Sequence, residues 1–279
     1  MSNTQSIVSF TVEDMLRSYV HFGHRVNARN PKMSHNIYKS ENGIHIIDVR
    51  KSFVAMNKAL VKVYDDAKNR KSILFVGTNP KIKEFVMEAA EKSGQHYVCQ
   101  WCCGMMTNWR TIVASIKTLK KYNELLAKED KQEDESLKMT KKEMGVLQKK
   151  RNALHKKFGG ITNMGGMPDL IIVMSARGDD MAIREAECVG VPVIAIVDTN
   201  ASTDNITYPI PGNDDSIKAI RFYCNLFVEA ILGGIKADIT KSGGKIDKND
   251  NTKAVKDAMS SKAFHQNKKI NTEKATTNT

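Results

Sequence analysis

Apolar positions along the chain change their spacing several times, and the changes mark out elements. In TVEDMLRSYV they fit one face of a helix starting at Thr11, and Asp14 completes a weak capping box three residues on. HFGHRVNARNPKM is polar and basic, carries Gly23 and Pro31, and predicts a loop. Short, nearly continuous apolar runs then alternate with helix-period segments. Strands are predicted at Ile44–Val49, Ser72–Gly77, His96–Gln100, Leu170–Met174 and Pro192–Asp198, and helices at 52–68, 80–92, 179–189 and 214–232. All-apolar strands separated by helices imply a parallel sheet covered on both faces. Right-handed crossovers then give an α/β fold: a flavodoxin-like, doubly wound, parallel five-stranded sheet.

The stretch between the third and fourth strands has a different period. Trp109, Ile112, Ile116, Leu119, Asn123 and Leu126 follow a heptad a/d stripe, as do Met144, Leu147, Arg151, Leu154 and Phe158. A charged segment over 127–138 separates them, and Thr140 with Glu143 forms a capping box. The pattern predicts an inserted antiparallel coiled-coil helical hairpin, with Asn123 and Arg151 as polar breaks that fix register. From Lys236 onward large apolar residues are few, which predicts disorder. The expected divisions are an N-terminal helix and basic loop (1–42), a discontinuous α/β domain (43–106 and 159–234), the hairpin (107–158) and a disordered basic tail (235–279).

Charge sharpens this division. The formal net charge of the 279 residues is +12. Residues 108–158 hold 14 Lys/Arg against 7 Asp/Glu, and residues 236–279 hold 10 against 5. The remainder is balanced, so the whole excess sits in the insertion and the tail. A neutral body with basic extensions points to a polyanion partner. No apolar run approaches a membrane span, and the N-terminus lacks the pattern of a secretory or transit signal. Five cysteines without regular spacing indicate a reducing compartment rather than a disulfide framework.

Enzyme chemistry finds few footholds. Neither the glycine-lysine phosphate loop nor G-x-G-x-x-G is present, nor is a G-x-S-x-G nucleophile elbow. FVGTNPKIKE ends a strand with one glycine and makes a weak phosphate cradle. CQWCCGMMTNW gathers three cysteines and both tryptophans, and Cys99-x-x-Cys102 has zinc-knuckle spacing. No second C-x-x-C completes a ligand set, so packing is the simpler account. His21 and His24 in the N-terminal loop, Asp198 at the end of a strand, and Asp214 and Asp215 at the start of the last helix all fall on the carboxyl edge of the sheet. His24, Asp198 and Asp215 are candidate ligands for zinc or magnesium, against a plainer reading of turn and cap hydrogen bonds.

Specific strings add a resemblance. VHFGHRVNARNPKM, NGIHIIDVRKS, ILFVGT, MTNWRTI, MTKKEMGVL, GGITNMGGMPDLIIV, AIREAECVGVPVIAIVDTN and YPIPGNDDSIKAIRFY occur in this order. Together, from about Val12 to Gly234, they resemble the bacterial and organellar small-subunit ribosomal protein S2 family. The resemblance implies a flavodoxin-like domain with an inserted coiled-coil hairpin, no catalysis, and no required cofactor. As partners it implies 16S rRNA and other small-subunit proteins, including the large multi-OB-fold protein that captures messenger RNA. It implies neither a membrane partner nor a homo-oligomer. It places the chain in a bacterial cytoplasm, an organelle-encoded copy fitting the sequence equally. Where the family usually shows Arg-Trp-Leu-Gly-Gly, this chain has Gln100, Trp101, Cys102, Cys103 and Gly104. A phosphate contact there would be lost with the arginine, and Cys103 must fit where glycine is usual.

Cations then become the expected rRNA contacts. They are Arg25, Arg29, Lys32, Arg50 and Lys51 near the N-terminal loop, with Asn30 beside them, and Asn108, Arg110, Lys117 and Lys120 at the hairpin base. His21 and His24 could hydrogen-bond RNA or a neighbour. Trp101 and Trp109 could stack on bases, or anchor the hairpin. The competing classes are a cytosolic flavodoxin-like enzyme acting on a phosphorylated small molecule, and a coiled-coil adaptor that binds only proteins.

Overall fold

The computed structural model describes residues 8–129 and 140–241. Helix α1 (Val12–Arg17) begins at the expected capping box: Thr11 Oγ1 accepts from the Asp14 N–H at 3.2 Å, and Asp14 Oδ2 accepts from the Thr11 N–H at 2.9 Å. The next three elements depart from expectation. Where the sequence predicts a loop, strand β1 (Phe22–Arg25) and two 3-10 turns (Val26–Ala28, Pro31–Asn36) form. Strands β2 (Ile37–Glu41) and β3 (Ile44–Ile47) then make a separate antiparallel sheet in the order β1-β3-β2. The run at 44–49, predicted as the first strand of the parallel sheet, is therefore not in it. Asn42 and Gly43 have φ of 51° and 77°, the left-handed pair that closes a tight hairpin. The hairpin gives β3 a partner at once, and β1 takes its other edge.

Asp48 Oδ1 accepts from the Arg50 N–H at 3.1 Å and caps α2 (Val49–Lys68), three residues before the predicted start. The parallel sheet holds β4 (Ile73–Val76), β5 (His96–Val98), β6 (Leu170–Val173), β7 (Val193–Val197) and β8 (Tyr208–Pro211), in the order β5-β4-β6-β7-β8. Its helices are α3 (Lys83–Ser93), α4 (Trp109–Glu129), α5 (Lys141–Phe158), α6 (Asp180–Val189) and α7 (Ile217–Lys241). Strand alternation sorts the core into two layers. Ile73, Phe75, Ile172, Ile194, Ile196 and Ile210 pack with α2, α3 and α7, while Leu74, Val76, Ile171, Val173, Ala195 and Val197 pack with α4 and α6. Helices cover both faces, so the sheet is doubly wound.

The two sheet edges are closed by different means. The Gly212 N–H donates to Val197 O at 3.0 Å. By alternation Ile210 faces β7 in the same way, and Pro209 and Pro211 face the open side, where neither has an N–H to offer. At the opposite edge Gly77 N–H donates to Val98 O at 3.1 Å, so the Tyr97 carbonyl points outward. Gly160 covers it so closely that a Cβ there would lie 2.2 Å from the Tyr97 oxygen.

Helices α4 and α5 pack side by side. The Thr140–Glu143 capping box forms as expected. Ile112, Ile116, Leu119, Leu147 and Phe158 are buried. The two polar breaks in the stripes meet: Arg151 Nε donates to Asn123 Oδ1 at 3.0 Å. Most of the expected charged connection (127–138) lies outside the described residues. Helix α7 runs to Lys241, so residues 236–241, expected to be disordered, are helical. Ile235 is buried, Ile239 packs on the core, and Arg70 Nε donates to Asp238 at 2.7 Å. The rest of the expected tail lies outside the described residues. Among the described residues no helix is long and apolar enough to cross a membrane.

Candidate functional site

The N-terminal segment wraps the carboxyl end of β7. Met15 and Val20 belong to one core layer and Met33 to the other, so the chain between them must cross that edge. Gly23 permits the crossing, because a Cβ there would lie 2.6 Å from Thr199 Cγ2. The backbone is then stitched down: His24 N–H donates to Thr199 Oγ1 at 2.9 Å, and Asn30 N–H to Thr199 O at 2.8 Å. This brings together the candidate ligands that the sequence holds apart. His24 Nδ1 lies 3.0 Å from Asp198 Oδ2, and His24 Nε2 lies 3.3 Å from Asp215 Oδ2. One ligand atom each from His24, Asp198 and Asp214 falls within 4.8 Å of the others.

Electrostatics in this cluster are strained. Ser175 Oγ donates to Asp214 Oδ2 at 2.6 Å. Burial, then the Asp198 carboxylate, push the Asp214 carboxyl up to about 7. The hydrogen bond to Asp198, with the surrounding carboxylates, raises the His24 imidazole above its usual value despite partial burial. Beneath them Tyr223 is fully buried, and burial raises its pKa well above the phenolic range. An imidazole facing three carboxylates is a donor set that a divalent cation fits.

The crevice between β4 and β6, where strand order reverses and such folds hold ligands, is filled from within. Thr78 N–H and Oγ1 donate to Asp179 Oδ1 at 3.2 and 2.6 Å. Burial pushes the Asp179 carboxyl up to about 6, against the pull of those bonds. The turn donors that would hold a phosphate are thus already used. Burial likewise pushes the Cys99 thiol up to about 11, which keeps it protonated at neutral pH and a poor metal ligand. The left-handed position in the cysteine-rich turn is Gly104 at φ 80°, so Cys103 needs no positive φ.

The expected RNA contacts fall into separate groups. Arg25 and Arg29 are exposed beside the His24 cluster, and Lys32 pairs with Asp204. Asn30 spends its side chain capping the Lys32 N–H at 3.0 Å. Burial lowers the pKa of His21, whose ring lies 4.1 Å from that of Phe22. Arg50 and Lys51 open α2; Arg50 pairs with Asp48, and Lys51 Nζ donates to His35 O. Asn108, Arg110, Lys117 and Lys120 are exposed, but on the opposite face of the sheet from α2. Trp101 and Trp109 are half-buried against the layer that includes Ile112 and Ile116.

Sequence reasoning missed Glu185. This buried carboxylate accepts from Trp101 Nε1 at 3.2 Å, Gly104 N–H at 2.7 Å and Met106 N–H at 2.9 Å, and so ties the cysteine-rich turn to α6. A signal existed. Glu185 stands among Ala182, Ile183 and Ala186 on the apolar stripe of its helix, and a charge there implies a buried partner.

A doubly wound core with a filled switch-point crevice, paired helices and exposed cations belongs to a scaffolding class of protein rather than a catalytic one. Comparison makes this specific. The model of the family "Ribosomal protein S2" matches residues 15–234. The chain is 44% identical over 240 residues to "Small ribosomal subunit protein uS2" of Wolbachia pipientis wMel, covering 85% of this chain and 83% of that one. It is 41% identical over 243 residues to the protein of that name from Ehrlichia canis (87% and 81% covered), and 40% identical over 242 residues to that of Paramagnetospirillum magneticum (86% and 89%). The chain belongs to the ribosomal protein S2 family, and is a structural ribosomal protein and not an enzyme.

Proposed function

We propose that the chain is a structural constituent of a bacterial small ribosomal subunit, in the cytoplasm, where it binds 16S rRNA and neighbouring ribosomal proteins. The observation that carries this reading is the set of exposed cations on elements held against the α/β core: Arg25 and Arg29 on the edge crossing, and Arg110, Lys117 and Lys120 on α4. Cations held on rigid elements contact phosphates and fix orientation without reading sequence. Helices α4 and α5 serve as the two arms of the expected coiled-coil hairpin. The multi-OB-fold protein is among the expected neighbours. Co-sedimentation of the full chain through a sucrose gradient tests this. Migration with the small subunit at moderate salt, lost as salt rises, is expected. Migration as a free protein at all salts overturns it.

Within the same reading, no cofactor is needed for binding RNA, and His24, Asp198 and Asp215, with Asp214, could hold a zinc or magnesium ion. A cation there would offset the burial and the neighbouring carboxylates that raise the pKa of Asp214, tying the N-terminal crossing to β7 and α7. Metal analysis of the purified chain, with and without His24→Ala, checks it; metal content unchanged by the substitution removes these ligands.

A further inference from the structure

Between α2 and the open edge of β8 lies a groove of about 660 Å³. Its floor is apolar: Val54, half-exposed in mid-helix at 53%, with Pro209 and Tyr208 from the edge strand. Its rim is cationic. Arg50, Lys51 and Lys58 stand one turn either side of Val54 on the same face of α2. Asp48 holds Arg50 Nε at 3.1 Å and His35 O holds Lys51 Nζ, so two of the three cations are positioned rather than free to wander. No carboxylate is among the described residues that line the groove.

We propose that this groove takes an unpaired nucleotide of RNA, its base on Val54, Pro209 and Tyr208 and its phosphates against Arg50, Lys51 and Lys58. This rests on the RNA-binding reading above and names the substrate class for one part of it. The occupant must carry negative charge and an apolar face together. A paired A-form helix shows phosphates and 2′-hydroxyls but keeps its base faces stacked, so it would leave the floor empty. An extended peptide would dock by adding a strand to β8, but Pro209 and Pro211 remove the donors from that edge. A splayed-out nucleotide meets both requirements, as stacking on rings plus phosphate contacts does at other single-strand sites.

The two halves of the groove separate experimentally. The full chain is titrated with 16S rRNA transcript and with a fully paired RNA duplex across a salt series. Lys58→Ala is expected to lower the salt slope for the transcript by about one. Val54→Ser is expected to weaken transcript binding about threefold to tenfold at every salt with the slope unchanged, and to leave duplex binding unaffected. Ultraviolet irradiation should attach an unpaired nucleotide at Tyr208. Both side chains are exposed, so neither change threatens folding. Transcript affinity within twofold of the parent for both variants would overturn the groove while leaving RNA binding intact. No saturable binding by the parent chain would overturn the RNA reading itself. A photoreactive side chain at position 54 that attaches only to protein within assembled subunits would make the occupant a polypeptide and sink the proposal.

Discussion

Removing Glu185 should loosen the joint between the sheet and the helix pair. Its carboxylate accepts three hydrogen bonds, two of them from backbone N–H groups at Gly104 and Met106. Bonds to a charged acceptor contribute about 1.5–3 kcal/mol each, and a buried donor left without a partner costs about 1–3 kcal/mol. The three are not additive, since they share one acceptor group. Glu185→Ala should therefore cost roughly 3–5 kcal/mol, the range for breaking a buried polar network. Glu185→Gln is informative because it keeps the shape. Its oxygen can serve Trp101 Nε1 and Gly104, but its amide then turns a donor toward the Met106 N–H, for a loss of about 1–3 kcal/mol. Urea titration followed by tryptophan fluorescence reads the change, since Trp101 sits at the joint, and an unchanged m-value would show that the unfolded state is not the source. Trp101→Phe combined with Glu185→Ala should cost less than the sum of the two. A loss below about 1 kcal/mol for Glu185→Ala, or equal losses for Ala and Gln, would refute the account.

Three further outcomes are expected. The raised Asp214 pKa means that folding takes up a proton between the unfolded value of 3.8 and about 7, and the raised His24 pKa adds stability that is full at low pH and lost as pH rises through its folded value. In the presence of chelator the melting temperature should therefore fall from pH 5 to pH 8, and Asp214→Asn should raise it at pH 8 but not at pH 5. Arg151→Leu alone leaves Asn123 without its 3.0 Å partner and should cost about 1 kcal/mol, whereas Asn123→Leu with Arg151→Leu should match or exceed the parent in thermal melts. Alkylation of the native chain should label exposed Cys103 and Cys188 quickly and spare Cys99 and Cys224, whose thiols are buried and pushed up to about 11 and 12.

Periodicity was enough for the doubly wound core, because strands β4, β6 and β7 are apolar at every position and bind helices on both faces. It failed where pairing depends on a turn or on an edge. Ile44–Ile47 is nearly as apolar as a central strand, broken only by His45, and the Asn42-Gly43 turn shows that it pairs with its neighbour. Tyr208–Pro211 became the fifth strand although two of its four residues are prolines, which a central strand excludes and an edge tolerates. The His24 cluster was legible as residue types at one edge of the sheet. Its geometry was not, since it depends on Gly23 letting the backbone pass against Thr199. The polar breaks at Asn123 and Arg151 were visible separately, and only the pairing of the helices shows that each satisfies the other.

The treatment of the two sheet edges bears on the time before the chain meets its ribosome. A five-stranded parallel sheet with bare edges would be a template for pairing with any other extended chain, including another copy of itself. Here one flank offers carbonyls without donors, and the other has its outward carbonyl pressed under Gly160. Each flank is a poor template for extending the ladder. A ribosomal protein with such flanks can keep this sheet unpaired before assembly, while its charged surfaces stay free.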